Sequence, residues 1–238
     1  MLKSTNLLLI ISIALSLITA DLYAQKLTTS FERSNFTATS TYEEGMAFYA
    51  QLADKHDQVK MFEMGPSDAG YPLHLVLISQ SKEFDITELK NSGKAILLIN
   101  NAIHPGEPDG VEASQMLARD LIEKKSLAHL LENTLVAIIP FYNIGGVLNR
   151  NSTSRVNQDG PVEYGFRGNA RNFDLNRDFI KNDTRNAASF AEIFQLLDPD
   201  VLIDTHVSNG ADYQYTLSMV YSQKDKLGEP LGDLPVSY

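Results

Sequence analysis

Ala95-Ile96-Leu97-Leu98-Ile99-Asn100 is apolar at every position until its terminal asparagine. A run this short and this hydrophobic reads as a buried strand. A loop follows it, and then a helix: Asp109 is placed to cap it, with Glu112 three residues on and Ala113, Leu117 and Leu121 at i+4 spacing. Beyond that helix, Thr134 to Pro140 is a second buried strand rich in β-branched residues.

The same rhythm extends in both directions. Upstream, Thr41 and Glu44 form a capping-box pair for a helix carrying Tyr42, Met46, Tyr49 and Ala53 along one face. Val59 to Phe62 and Leu73 to Ser79 read as strands, and the Gly/Pro/Ser-containing turn at 65–72 makes them a hairpin. Residues 25–40 read as polar and irregular. Downstream, Ala187, Phe190, Ala191, Phe194 and Leu197 fit an amphipathic helix stopped by Pro199, and Val201 to Asp204 is a further strand. Strands alternating with helices predict an α/β domain, with a mixed, mostly parallel sheet flanked by helices. Residues 143–172 are too long and polar for a simple connector, and loops of this kind carry function or are disordered.

Composition narrows the chemistry. Hydrophobic residues make up 43% and charged residues 21% of the 238, an ordinary globular balance. The net charge of −10 argues against a general nucleic-acid binder, whose footprint is basic. With no cysteine, disulfides, thiol catalysis and cysteine-ligated zinc are excluded, so any metal must be held by His, Asp or Glu.

At the N-terminus, Lys3 precedes an apolar run from Leu7 to Ala20, short for a membrane span and suited to a signal-peptide core. Residues 1–24 are therefore expected to be a signal peptide, cleaved after Ala24. The mature chain, 25–238, is expected to be exported to the periplasm or the extracellular space, with no stable membrane insertion.

Three clusters fall at the ends of strands, where α/β sheets place their chemistry. The first is His104-Pro105-Gly106-Glu107. Pro105 keeps His104 out of the helical region and Gly106 is expected to permit a tight turn, so that both ligand-type residues can face one ion. The second is Asp204-Thr205-His206. His206 lands on the same rim as the first cluster if the two strands are parallel. Together His104, Glu107 and His206 form a two-histidine, one-carboxylate set that leaves zinc an open position for water. His56 at a helix end, His74 within the hairpin and His129 in a polar helical stretch fit less well. The third cluster is Asn172-Phe173-Asp174-Leu175-Asn176-Arg177-Asp178. Alternation there puts Asp174 and Asn176 on one side, and an Asn-Arg pair suits recognition of a carboxylate.

His-Pro-Gly-Glu, then Asp-Leu-Asn-Arg, then Asp-Thr-His, in that order, resemble the zinc carboxypeptidases of the carboxypeptidase A type. Thr41-Tyr42-Glu43-Glu44, Phe62-Glu63-Met64-Gly65 and Tyr71-Pro72-Leu73 are similar to that family's opening elements. Asn143-Ile144-Gly145-Gly146 resembles its Asn-Pro-Asp-Gly turn, from which Ile144 and Gly145 depart. The resemblance implies a zinc-peptidase fold that holds one zinc ion through His104, Glu107 and His206. It makes Asp174 the acid that orients the first ligand histidine, and Asn176 and Arg177 the pair that grips a peptide's terminal carboxylate. Arg155 most resembles the arginine that polarises the scissile carbonyl, with Arg150, Arg167 and Arg171 in the same loop. The implied activity is hydrolysis of C-terminal peptide bonds in peptides or proteins with a free carboxylate.

The family's general base is a glutamate well downstream of the third ligand. After His206 this chain offers Glu229 alone, too close in sequence for a match. The expectation is therefore a catalytic domain truncated at its C-terminus and, as it stands, inactive. Two other readings stay open: a related zinc N-acyl amino acid deacylase, and a non-catalytic binding module that keeps the metal.

Overall fold

A computed structural model describes residues 27–228 apart from 83, 209, 211, 212 and 221. The stretch read as a signal peptide, and Glu229, lie outside the described residues. Five strands are seen among them: β1 (Val59–Pro66), β2 (Pro72–Ile78), β3 (Ala95–Asn100), β4 (Thr134–Ile139) and β5 (Val201–Asp204). They form one sheet in the order β1-β2-β4-β3-β5. β1 and β2 are an antiparallel hairpin, β2 lies antiparallel to β4, and β3 lies parallel to both β4 and β5. Four of the five strands thus run in one direction, with β2 alone opposed.

Six helices flank or lead into this sheet: α1 (Ser30–Arg33), α2 (Tyr42–Lys55), α3 (Ile86–Asn91), α4 (Asp109–Glu123), α5 (Ile144–Leu148) and α6 (Arg185–Leu197). Side-chain alternation sorts the strand residues onto two faces. Leu73, Leu75, Leu77, Leu98, Leu135 and Ala137 share one core with Leu89 of α3 and Phe190, Ile193 and Leu197 of α6. Val76, Ile78, Ile99, Val136 and Ile138 share the other with Phe48, Tyr49 and Leu52 of α2 and Ala118 and Leu121 of α4. A sheet buried on both faces explains the uninterrupted apolar runs of β3 and β4.

Local chemistry sets the helix ends. Thr41 and Glu44 make the expected reciprocal cap of α2. α6 ends at Leu197, where Asp198 turns left-handed (φ 48°) ahead of Pro199. Two expectations need correction. Within the stretch expected to be irregular, Thr29 and Glu32 form a second capping box that starts α1. Asp109 is the first residue of α4 rather than its cap, and Pro108 takes the cap position with no side-chain bond. Glu112 is engaged elsewhere: its buried carboxylate accepts the amides of Ser40 (2.5 Å) and Phe31 (3.2 Å), tying the N-terminal segment to α4.

The chain divides into two compact units, up to Val207 and from Ser208 onward. The second contains, among its described residues, one short helix, α7 (Lys224–Leu227). No helix of the described residues is long and apolar enough to cross a membrane.

Candidate metal centre

The parallel pairing of β3 with β5 sets Asn100 directly opposite Asp204. Both strands therefore end at the same level, and the loops that leave them meet. His104 and Glu107 come from the loop after β3, and His206 from the segment after β5. Each offers one ligand atom, and these atoms lie within 4.8 Å of one another. His104 Nδ1 is 3.3 Å from Glu107 Oε1 and His206 Nδ1 is 3.0 Å from Glu107 Oε2. Two imidazole nitrogens and a carboxylate are the donor set zinc takes when a coordination position stays open, and the residues fit that ion.

The turn bringing His104 to Glu107 is closed by the Glu107 amide, which donates to the His104 carbonyl at 2.8 Å. Gly106 serves this turn differently from expectation. It is not among the positive-φ glycines. What it supplies is room: a Cβ there would stand 3.0 Å from both Arg155 Cγ and the Gly165 carbonyl.

Carboxylates back both histidines. His104 Nε2 lies 3.1 Å from Asp174 Oδ1, and His206 Nε2 lies 3.0 Å from Asp204 Oδ2. Bonds to Asp204 and Glu107 raise the His206 imidazole from 6.5 to about 9, against burial. Burial would push the Glu107 carboxyl up. Hydrogen bonds involving His104, His206, the Val207 amide and Arg155 outweigh it and hold the group well below the usual carboxylate range. Asp174 is likewise lowered: burial opposes, while His104 and Arg167 prevail. At neutral pH the carboxylates of Glu107 and Asp174 are thus ionised, each paired with a histidine and an arginine.

The arginines of the long loop separate by position. Arg155 is mostly buried and donates through Nη1 to Glu107 Oε1 at 2.7 Å. Arg167, to which no role was assigned from sequence, also reaches the centre. It donates to Asp174 (Nε, 3.0 Å; Nη2, 2.9 Å) and stands 3.4 Å from His104 Nδ1. Nothing in the local pattern around Arg167 distinguishes it from its neighbours. Arg150 instead binds the carbonyls of Thr39, Ser40 and Glu163, and Arg171 lies over the Phe173 ring.

The long loop is ordered by buried bonds rather than by regular structure. Asn143 caps α5 through the Gly146 amide (2.9 Å) and donates Nδ2 to the Arg167 carbonyl (2.9 Å). Tyr164, also buried, shares its hydroxyl with the Arg155 backbone amide and carbonyl. Gly165 donates to the Pro105 carbonyl at 3.0 Å, locking the loop against the His104 turn.

Asp174, Asn176 and Arg177 lie on one short 3₁₀ turn, Leu175–Arg177, rather than on an alternating strand. Asp174 caps that turn by accepting the Asn176 amide at 3.0 Å, so it both starts the turn and reaches His104. Leu175 is fully buried while Phe173 is partly exposed, so the two do not share a face opposite Asp174 as alternation suggested. Arg177 is exposed and donates Nη1 to the Asn176 carbonyl at 2.9 Å. Buried Asp178 secures the following segment by accepting from the Thr184 amide (3.0 Å) and hydroxyl (2.7 Å).

Known proteins share this framework. The zinc carboxypeptidase family model matches residues 46–197. Carboxypeptidase 2 of Trichophyton rubrum is 28% identical over 176 residues, covering 73% of this chain and 30% of its own length. The Trichophyton tonsurans carboxypeptidase 2 is 29% identical over the same shares. The chain therefore spans under a third of the curated relatives it matches. Among solved structures, a metallo-carboxypeptidase from Burkholderia cenocepacia superposes with a TM-score of 0.56 at 18% identity, over 73% of this chain and 43% of that one. A metallo-carboxypeptidase from Pseudomonas aeruginosa gives 0.55 at 18% identity, over 72% and 41%. These likenesses carry the fold. The family match extends from α2 to the end of α6 and takes in the His104–Glu107 turn and the Asp174–Arg177 turn, and the chain belongs to the zinc carboxypeptidase family.

Proposed function

We propose that this protein is a zinc-dependent carboxypeptidase that hydrolyses the C-terminal bond of peptides bearing a free carboxylate. The observation that carries this reading is the convergence of His104, Glu107 and His206, from two parallel strand ends, within the reach of one ion. Bound there, zinc lowers the pKa of a water toward about 7 and polarises a carbonyl oxygen.

The chain's own residues supply the rest. Asp174 holds His104 by its outward nitrogen, and so presents Nδ1 to the ion. Arg155 and Arg167, bonded to Glu107 and Asp174 beside the ligand set, are the cations this reading assigns to stabilising a developing oxyanion. Asn176 and Arg177 offer donors to the substrate's terminal carboxylate, the guanidinium as a planar fork. Residues 207–228 contain no glutamate, so the reading assigns the proton-accepting step to none of them. The apolar leader at Leu7–Ala20 supports export, placing the substrate outside the cytoplasm.

The deciding experiment is hydrolysis of a peptide and of its C-terminal amide by the complete protein, with and without zinc. Zinc-dependent cleavage of the free acid supports the carboxypeptidase reading. Equal cleavage of both points to an endopeptidase, cleavage of N-acyl amino acids alone to a deacylase, and zinc binding without hydrolysis to a binding module.

A further inference from the structure

We infer that Asp204 is a positioning residue for the metal centre, holding His206 in the ring orientation that directs Nδ1 to the ion, and that buried Asn100 holds Asp204 in turn. The inference rests on the zinc reading above.

His104 is 3% exposed and packed into its place, whereas His206 is among the exposed residues. An exposed imidazole on a strand end has rotational freedom, and packing alone does not select which nitrogen faces Glu107. Asp204 supplies the selection. Its Oδ2 lies 3.0 Å from His206 Nε2, on the ring edge away from Glu107, so that with the ion in place Nε2 would keep its proton and Nδ1 would turn its lone pair to the metal.

Asp204 is itself fixed. Its other oxygen, Oδ1, accepts Asn100 Nδ2 at 2.9 Å across the in-register β3–β5 pair. Asn100 is fully buried, yet its own Oδ1 has no hydrogen-bond partner. A buried amide oxygen without a partner is unfavourable. Rotating the amide would turn that oxygen toward the Asp204 carboxylate, which is worse. The side chain is therefore oriented by its donor bond to Asp204. Thr205 secures the intervening backbone, its amide donating to the Asn100 carbonyl at 3.1 Å. The relay Asn100–Asp204–His206 thus runs from the buried end of β3 toward the ion site, a counterpart of the Asp174–His104 contact from a different part of the chain.

The test is zinc affinity of the full chain by competition with a chromophoric chelator, together with imidazole ¹⁵N chemical shifts of His206. In the wild-type zinc complex, His206 is expected to carry its proton on Nε2. Asp204→Asn, which keeps the shape and removes the charge, is expected to weaken zinc binding about 10–100-fold. Asn100→Ser is expected to weaken it less, and to add little once Asp204 has been replaced. Wild-type affinity in Asp204→Asn with unchanged His206 shifts overturns the inference while leaving the zinc reading intact. So does a proton on His206 Nδ1 in the wild-type complex, a measurement that needs no variant to fold. A wild-type chain that binds no zinc overturns the zinc reading itself, and the inference with it.

Discussion

Glu107 and His206 stand 99 positions apart in the chain, yet Oε2 of one lies 3.0 Å from Nδ1 of the other, and the same Oε2 accepts the Val207 amide at 2.9 Å. The carboxylate thus engages both the imidazole and the backbone that carries it. On the proposed zinc reading, removing the imidazole takes away one of three protein ligands. His206→Ala is expected to lose nearly all bound zinc by elemental analysis, and to lose the rise in melting temperature that zinc confers on the wild type. Stoichiometric zinc in the variant contradicts the assignment.

Arg177 is expected to act on substrates through their terminal carboxylate. Charge-assisted hydrogen bonds contribute about 1.5–3 kcal/mol. Arg177→Ala in the complete protein should therefore lower kcat/KM for a free-acid peptide by about tenfold or more. Its effect on the matching amide should be small. An equal loss on both substrates would assign Arg177 to the fold instead.

Glu112 supports a different prediction, one of stability. Its carboxylate is the acceptor for the buried amide of Ser40 and the half-buried amide of Phe31. Glu112→Ala strands both donors, at about 1–3 kcal/mol for the buried Ser40 amide and less for that of Phe31, while Glu112→Gln retains an acceptor and should be milder. Urea unfolding is expected to rank wild type above Gln and Gln above Ala. A flat series would mean that water replaces the carboxylate freely at this position.

The pair formed by Asp120 and Arg119 predicts acid sensitivity. Burial works to raise the Asp120 carboxyl, but Lys124 and Arg119 bind it and lower it below 3.8. Because the folded value is depressed, the stabilisation is fully present above the unfolded value and is lost as the pH falls through the folded one. Asp120→Asn should therefore be less stable than wild type at pH 7. The gap should narrow below about pH 4, as followed by thermal melts across pH. A gap that does not change with pH would remove the ion pair as its cause.

By itself the sequence determined what short-range chemistry determines. β3 and β5 begin and end where their apolar runs do. For β3 this is because a strand buried in the sheet shows its limits as a loss of hydrophobicity, whereas Val201, Leu202 and Ile203 of β5 are exposed in spite of theirs. The Thr41–Glu44 cap and the left-handed stop before Pro199 depend on a few adjacent residues. So do the ligand types at strand ends. Tertiary structure decided the rest. Asp109 and Glu112 look like a helix start, yet Glu112 is drawn to two amides more than seventy residues away, and no local rule weighs that competition. Gly106 is needed for the closeness of Arg155 and Gly165, neighbours that exist only once the long loop has folded back. Arg155 and Arg167 are equivalent in sequence to Arg150 and Arg171. The Tyr164 hydroxyl and the Asn143 amide bring the first two to the centre, while Thr39, Ser40 and Asp68 hold the others away from it. The pairing of Asn100 with Asp204, which aligns the whole site, is a matter of strand register. It is set by packing across the sheet and by contacts between residues a hundred positions apart.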